Sequence, residues 1–408
     1  MKRIFVYYNG WGEHWQLGTL AGNGSDLLFE YSPEALKRGV ELSPLRLKLR
    51  EQAYGGFPTY LQQLPGLISD SLPDGWGLLV MDRLFRRNGR NISDLSPLDR
   101  LAFIGDRGLG AFSFEPADVL EPPTNDVTLL TLANDVLEVI SGKDGKGLRQ
   151  LALLGGSPHG SRPKVLVYYN VSQGTISAVP EAGHRPWLVK FPAQTEHKEV
   201  CALEDLYAQL ARECGLDMAA TQYFDLDKNL AAFGTARFDV EDGLRVPVQT
   251  LAAALHAEFR LPSAVDYTSF LRVTRLFTRE EREVKKAYEC AVFNVLFNNR
   301  DDHSKNLSFR LGRDLRWVLA PSYDLTFSEG PGGEHHMDVC GEGRCITRAT
   351  LLELARQGGL DAVWAGRVID QFVEHAGLFK RLSSEREIRR ATVRHVATAI
   401  DSNRARLG

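Results

Sequence analysis

The stretch Phe293–Phe309, FNVLFNNRDDHSKNLSF, packs two acids, a histidine, a lysine and an asparagine into the six residues Asp301 to Asn306. Ala291, Val292, Val295, Leu296 and Phe297 recur at helical spacing before it. Leu307 and Phe309 alternate with Ser308 and Arg310 after it, which reads as a short strand. Polar groups this dense between core-forming residues suit a catalytic loop carried on rigid elements; the plain alternative is an acidic surface loop. A second segment, Arg316–Leu325 (RWVLAPSYDL), reads as an apolar strand leading to Asp324. Phosphoryl transfer to a hydroxyl needs a base beside the acceptor and oxygen ligands for magnesium. Asp301 and Asn306 have the D-x4-N spacing that protein kinases use for these tasks, and Asp324 follows a strand as their second metal ligand does. Asp324 is otherwise a turn cap.

Two further segments fit a nucleotide. Gly155–Lys164, GGSPHGSRPK, precedes the strand-like VLVYYN. It is neither a Walker A motif nor G-x-G-x-x-G, so it reads as a hairpin loop or as a cradle whose backbone N–H groups approach phosphates, with Lys164 adding charge. In PWLVKFP, Lys190 sits among Leu188, Val189 and Phe191, either snorkelling at a sheet edge or recruited to an anion. Glu204 follows in the helix EVCALEDLYAQLARECG, and kinases hold their strand lysine with a helix glutamate. That helix shows one apolar face, Val200, Leu203, Leu206, Leu210 and Cys214, and Gly215 ends it.

These groups need elements to position them. Residues 1 to about 30 read as a small antiparallel sheet, with Asn9-Gly10 and Asn23-Gly24 as hairpin signals. Helices are expected over Pro33–Arg38, near Gly75–Arg87 and over Leu129–Leu137, the last capped by Asp126 or Thr128. Leu148–Leu154 is a short helix or strand. Arg83, Arg86, Arg87 and Arg90 form a basic helix end, read as a solvated face complementing the helix dipole or as a phosphate or partner contact. TQYFDL and NLAAFGTARFDV are strands joined at Asp227-Lys228-Asn229, and from about residue 246 the pattern is mainly helical. The fold class is therefore α+β. A β-rich N-terminal module (1–120) precedes a mixed lobe (126–245) with the loop, lysine and glutamate, and a mainly helical C-terminal lobe (246–408) carries Asp301, Asn306 and Asp324.

At 408 residues, with 43% hydrophobic and 25% charged residues, the composition is that of a soluble globular protein. The formal net charge of -3 does not mark a nucleic-acid binder. Cys201, Cys214, Cys290, Cys340 and Cys345 form no C-x-x-C pair and are read as reduced thiols of a cytoplasmic protein. MKRIFVYYNG enters a strand pattern with no leader-like apolar region, and no apolar run approaches the roughly 18 residues of a membrane span.

The ordered set GGSPHGSRPK, WLVKFP, TARFD, NNRDDHSKN and LAPSYDL closely resembles the HipA family, the serine/threonine-kinase toxins of bacterial type II toxin–antitoxin systems. GTL, LFEY, LPDG and FIGDRGLGAFSF resemble that family's N-terminal module, so the likeness covers nearly the whole chain. It implies a bilobal protein-kinase-like fold working with ATP and Mg2+. Asp301 would be the catalytic base, Asn306 and Asp324 the metal ligands, and Lys190, oriented by Glu204, a phosphate contact. The loop His159, Gly160, Ser161, Arg162, Pro163 and Lys164 would cover the nucleotide. Ala236, Arg237 and Phe238 would form the hinge beside adenine, and His303, Lys305 and Tyr323 would complete the ATP pocket. Ser157 falls at the family's regulatory autophosphorylation site. The implied partners are a HipB-like helix-turn-helix antitoxin, operator DNA reached mainly through that antitoxin, and a protein substrate, at family level an aminoacyl-tRNA synthetase. The basic residues Arg386, Arg389, Arg390 and Arg394 are a further candidate for phosphate contact. Three positions depart from the pattern: His159 is bulky for the loop, Ala236 replaces a hinge glutamate, and Asp302 puts a second acid beside the base, either raising the Asp301 pKa or pointing away. Two other readings compete: a kinase-fold phosphotransferase for a small molecule, and a catalytically weak binding module of an antitoxin–DNA complex.

Overall fold

The computed structural model describes residues 1–408 except 24, 25, 124, 126, 156 and 157. It divides into two compact units. The first comprises Met1–Cys201, Thr221–Gln249 and Ala253–His256. The second comprises Ala202–Ala220, Thr250–Ala252 and Ala257–Gly408.

Among the described residues the first unit holds two five-stranded antiparallel sheets, besides a short pairing of Val240–Glu241 with Leu244–Arg245. In one, β1 (Arg3–Tyr8), β2 (Trp15–Asn23), β3 (Asp26–Tyr31), β4 (Ala53–Tyr54) and β5 (Phe112–Glu115) lie in the order β4-β3-β2-β1-β5. Ile4, Val6 and Tyr8 alternate into the core as the period-2 pattern requires. Asn9-Gly10 is not the tight turn expected of it. The Asn9 side chain donates to Ser113 Oγ at 2.7 Å, and the reversal falls one step later, where Trp11 and Gly12 adopt φ of 56° and 81°. The Asn23-Gly24 turn lies outside the described residues.

Local signals placed the helices well. Pro33–Arg38 begins where Ser32 Oγ accepts from Ala35 N at 3.0 Å and ends at Gly39, φ 69°. The helix Gly75–Arg87 has its expected bounds. The helix capped by Thr128 runs on from Leu129 to Ile140, past the expected Leu137, while Asp126 lies outside the described residues. Leu148–Gly155 is a helix. The basic helix end is mostly engaged internally. Arg83 donates to Val139 O and Arg87 to Gly145 O at 3.2 Å, while Arg90 stacks over Phe85 and pairs with Asp99 at 3.3 Å. Arg86 and Arg90 line a cavity of about 400 Å³ with Gly89, Asn91 and Ile92.

The other sheet consists of β6 (Lys164–Asn170), β7 (Thr175–Ser177), β8 (Arg185–Lys190), β9 (Thr221–Asp225) and β10 (Ala231–Ala236), in the order β7-β6-β8-β10-β9. Asp227 makes the expected turn between β9 and β10, its Oδ1 accepting from the N–H groups of Asn229 and Leu230 at 2.7 Å each.

In the second unit the helix Glu281–Leu296 is central. It packs against Tyr267–Thr278, Ala362–His375 and Arg390–Leu407. Val284, Ala287, Tyr288, Ala291, Val292, Phe293 and Leu296 are fully buried along it. Its last carbonyls, Val295 O and Leu296 O, accept from Asn403 Nδ2 at 2.9 and 3.2 Å. A hairpin of Ser308–Leu311 and Trp317–Leu319 follows, so the strand before Asp324 stops at Leu319, shorter than the sequence pattern. The helix Glu199–Glu213 is not buried on one face only: Glu204 and Ala208, off the face of the expected Leu203, Leu206 and Leu210, are 3% and 1% exposed. Among the described residues no helix is long and apolar enough to cross a membrane.

Candidate active site

In the first unit, antiparallel register sets Lys164 opposite Lys190 across the β6–β8 pair. Both are nearly buried, at 3% and 7% exposure, so one sheet face gathers two amino groups. Buried charge on that scale needs negative counterparts. Lys190 Nζ lies 6.0 Å above the Phe233 ring. Lys164 Nζ donates to His159 O, folding the loop back on its own strand. Pro163 O accepts from Phe191 N at 2.9 Å, and Arg162 forms a forked pair with Glu196 at 2.8 and 3.1 Å. Ser157 lies outside the described residues.

The loop is held by a segment, LPDG and the Trp76 after it, that the sequence tied to the N-terminal module and not to this loop. Gly160 N–H donates to the Asp74 carboxylate, Gly160 O accepts from Trp76 N at 3.1 Å, and Trp76 Nε1 donates to Lys164 O at 3.0 Å. Gly160 has φ 102°, open only to glycine. A Cβ on Gly75 would stand 2.6 Å from Gly160 O and 2.8 Å from Ser161 Cα, so the loop needs a bare backbone beneath it. The signal was present in LPDGWG, whose second glycine, Gly77, exceeds what a Pro-Asp-Gly turn requires; a Cβ there would stand 2.9 Å from Gly155 O and 3.3 Å from Pro158 O.

Of the three residues expected at a hinge, Arg237 has its guanidinium committed elsewhere. It forks onto Asp239 at 2.9 and 2.7 Å, and Asp239 also accepts from Gly110 N at 2.8 Å. Burial alone would raise the Asp239 carboxyl; the Arg237 charge and these hydrogen bonds carry it below the ordinary range. Ala236 ends β10, and Phe238 follows Arg237.

The second unit assembles the loop 298–306. Ser304–Asn306 form one 3-10 turn, closed by Asn306 N donating to His303 O at 2.8 Å. Asn306 Nδ2 donates to Asp301 O at 2.8 Å, which commits the amide nitrogen and leaves Oδ1 as the acceptor end. The Asp301 side chain is 59% exposed, with His303 Nε2 3.9 Å from its Oδ1. His303 packs edge-on to Phe259 at 5.3 Å, and Lys305 Nζ lies 4.5 Å above the same ring.

Asp324 is brought to this loop by its neighbours. The Tyr323 hydroxyl donates to Lys305 O at 2.6 Å and lies 2.6 Å from Ser308 Oγ. Farther on, Ser328 N donates to Asn298 O at 3.0 Å and Asn298 Nδ2 donates to Ser328 O at 3.0 Å. The segment 323–328 thus runs along the loop, with Asp324 in the left-handed region at φ 57°. Aspartate tolerates that conformation better than most residues. Among the described residues no group of three or more His, Cys, Asp or Glu side chains forms a metal cluster. Magnesium bound with a nucleotide needs only one or two carboxylates besides phosphate and water, and the oxygens of Asn306 and Asp324 fit that demand.

Glu204 belongs to this second unit, on a helix fixed to it. Tyr207 donates to Phe297 O at 2.7 Å, and Asp205 accepts from Arg386 at 2.9 Å. Arg386 is thereby engaged inside the chain.

Asp302, whose sequence reading left two outcomes open, points away from Asp301. Its side chain is wholly buried and accepts from Tyr267 and His335.

The family model described as HipA-like C-terminal domain matches residues 156–378, and that described as HipA N-terminal domain matches residues 6–115. No curated protein matches the chain. Among solved structures, the chain is similar to HipA of Shewanella oneidensis MR-1, in a complex of HipA, HipB and operator DNA. The TM-score is 0.70 at 19% identity, covering 99% of this chain and 96% of that one. The Helicobacter pylori proinflammatory kinase CtkA matches at TM-score 0.39 and 14% identity, over 60% of this chain and 88% of that one. With family models spanning both the N-terminal module and more than half of the sequence beyond it, the chain belongs to the HipA family.

Proposed function

We propose that this chain is an ATP- and magnesium-dependent serine/threonine protein kinase and the toxin of a type II toxin–antitoxin pair. The observation that carries the reading is the loop cluster of the second unit, where the Asn306 amide is tied to Asp301 O and Tyr323 ties the approach to Asp324 onto the same loop. Magnesium-ATP, when bound, supplies the phosphoryl group and the counter-charge that screens it. Asp301, the exposed acid of the loop, accepts the proton of the acceptor hydroxyl. Asn306 Oδ1 and the Asp324 carboxylate hold the metal, with Tyr323 fixing the spacing between their backbones. In the first unit, Lys190 and the His159–Lys164 loop bind phosphate oxygens, the loop kept in shape by Asp74 and Trp76. Phosphorylation of Ser157 adds about two negative charges to a loop meant to receive phosphates, and so opposes nucleotide binding.

A HipB-like antitoxin with operator DNA is the proposed partner. Its support is the fold shared with a HipA in such a complex, 96% of which this chain covers. The test is incubation of the purified chain with magnesium and labelled ATP, followed by peptide mapping. Label on Ser157 or on an added protein substrate is the expected result. Consumption of ATP with label only on small molecules replaces the protein-kinase reading with a metabolite phosphotransferase, and no consumption at all removes the enzyme.

A further inference from the structure

The two adjacent acids of the loop have opposite fates. Asp301 is 59% exposed at its side chain; Asp302 is 0% exposed. Asp302 Oδ2 accepts from the Tyr267 hydroxyl at 2.7 Å and from His335 Nδ1 at 2.8 Å. Its Oδ1 accepts from His336 N at 2.8 Å and from Met337 N at 3.4 Å. Tyr267, His335 and Met337 are themselves buried, at 0%, 3% and 1% exposure.

The network closes on the loop. The Tyr267 oxygen accepts from Asn294 Nδ2 at 2.9 Å, and Asn294 Oδ1 accepts from Asn299 Nδ2 at 2.9 Å. Asn299 and Asp302 thus lie at the two ends of one hydrogen-bonded chain through Asn294 and Tyr267, and Asp301 lies between them in sequence. On the other side, His336 N also reaches Arg300 O at 3.3 Å, and Arg300 Nη1 reaches Gly333 O at 2.5 Å. A buried carboxylate survives only when its oxygens are satisfied, and these are satisfied by groups far away in sequence. Burial alone would raise the Asp302 carboxyl; the neighbouring His335 and the hydrogen bonds bring it below the ordinary carboxylate range. Asp302 makes no contact with the proposed metal ligands in this network.

We propose that Asp302 is a positioning residue: its buried carboxylate, gripped by Tyr267, His335 and the backbone of His336 and Met337, fixes the loop backbone so that the Asp301 carboxylate faces outward. This rests on the reading of Asp301 as the base, and it makes the segment 333–337 a structural part of the loop. Asp302 acts through Asp301 and does not itself touch the reacting groups.

The test compares Asp302→Ala, Asp301→Ala and the double variant by ADP release from magnesium-ATP. Misplacing a catalytic group by about 1 Å costs on the order of 10²-fold. Asp302→Ala is therefore expected to lower kcat by about 10- to 100-fold with KM for ATP unchanged. In the Asp301→Ala background it is expected to cost nothing further, because the group it positions is gone. His335→Gln, which keeps a polar side chain at the site, is expected to show the same pattern at smaller scale and serves where Asp302→Ala does not fold. A folded Asp302→Ala protein with wild-type kcat, or a loss that persists in full without Asp301, overturns the proposal. Amide exchange separates this from failure of the kinase reading. If the wild-type chain releases no ADP, Asp301 is not a base. The positional claim then stands on faster exchange of amides 299–307 in Asp302→Ala, and falls if their protection is unchanged.

Discussion

The loop 158–164 and the loop 298–306 are both polar, both lie next to a strand, and are held by different means. The first is gripped by its backbone: Gly160 N–H donates to Asp74 and its carbonyl accepts from Trp76 N, and its contact with Gly75 leaves no room for a side chain there. The second is gripped by side chains: Asn299 and Asp302 reach inward to Asn294, Tyr267 and His335, and Asn306 ties the loop's two halves. The difference follows from what each is proposed to hold. A loop that lays N–H groups on phosphates must stay adjustable and bare. A loop that aims one carboxylate must be fixed to within a fraction of an ångström, and a buried polar network achieves that.

If that contrast is right, the largest single effect is at the aimed carboxylate. Asp301→Ala should reduce phosphoryl transfer by roughly 10²–10⁴-fold, the usual share of a general base, with ATP binding by titration little changed. Undiminished transfer in the variant would place the base elsewhere.

Disturbing the first loop should move binding and leave the chemical step alone. A hydrogen bond to a charged acceptor is worth about 1.5–3 kcal/mol. Asp74→Ala is thus expected to raise KM for ATP by about tenfold or more with kcat nearly constant. A fall in kcat with constant KM would reverse the assignment of the two loops.

The contrast extends to acid. His256 accepts from Gly66 N at 3.0 Å, in the short helix that leads to Asp74. Burial and the nearby Arg46 push its pKa down from 6.5 to about 4. The folded form therefore keeps a neutral imidazole where the unfolded chain takes up a proton, and stability from this group falls as pH drops below 6.5 toward about 4. Asp302 acts in a lower window: its folded pKa is depressed, so its contribution is present above the ordinary value of 3.8 and lost only below it. Urea midpoints between pH 7 and 4 should fall less steeply in His256→Gln than in the wild type. An identical slope would mean that the His256 contact contributes nothing.

The smallest effect concerns the helix bearing Glu204. Arg386 pairs with Asp205 at 2.9 Å at a partly exposed site. Arg386→Ala should cost about 1 kcal/mol in urea denaturation. A much larger loss would mean that the pair, and not Tyr207 against Phe297, is what fastens that helix.

Much of this was legible in the residues alone, for reasons that can be traced. Helix bounds such as Pro33–Arg38 and Gly75–Arg87 follow from caps and glycines acting within a turn of themselves. The strand ending at Lys190, and the loop bearing Asp301 and Asn306, were visible because alternation and D-x4-N spacing are local properties. Where the reading went astray, a distant partner had intervened. Asn9 was drawn from its turn by Ser113, and the helix Glu199–Glu213 was covered beyond its apolar stripe, over Glu204 and Ala208.

The sequence by itself determined which residue types stand near one another along the chain: the glycine-rich loop, the strand lysine, the acid–amide spacing and the later aspartate. Only the tertiary structure decided which of two neighbouring aspartates faces out. Asp301 and Asp302 are chemically identical and adjacent, and the D-x4-N spacing that singles out Asp301 does not say where either side chain points. Their roles are set by Tyr267 and His335, which lie 35 and 33 residues from Asp302. In the same way Asp74 meets Gly160 across 86 residues. Hydrogen-bond complementarity between remote segments is a property of packing, and it appears only once the chain has folded.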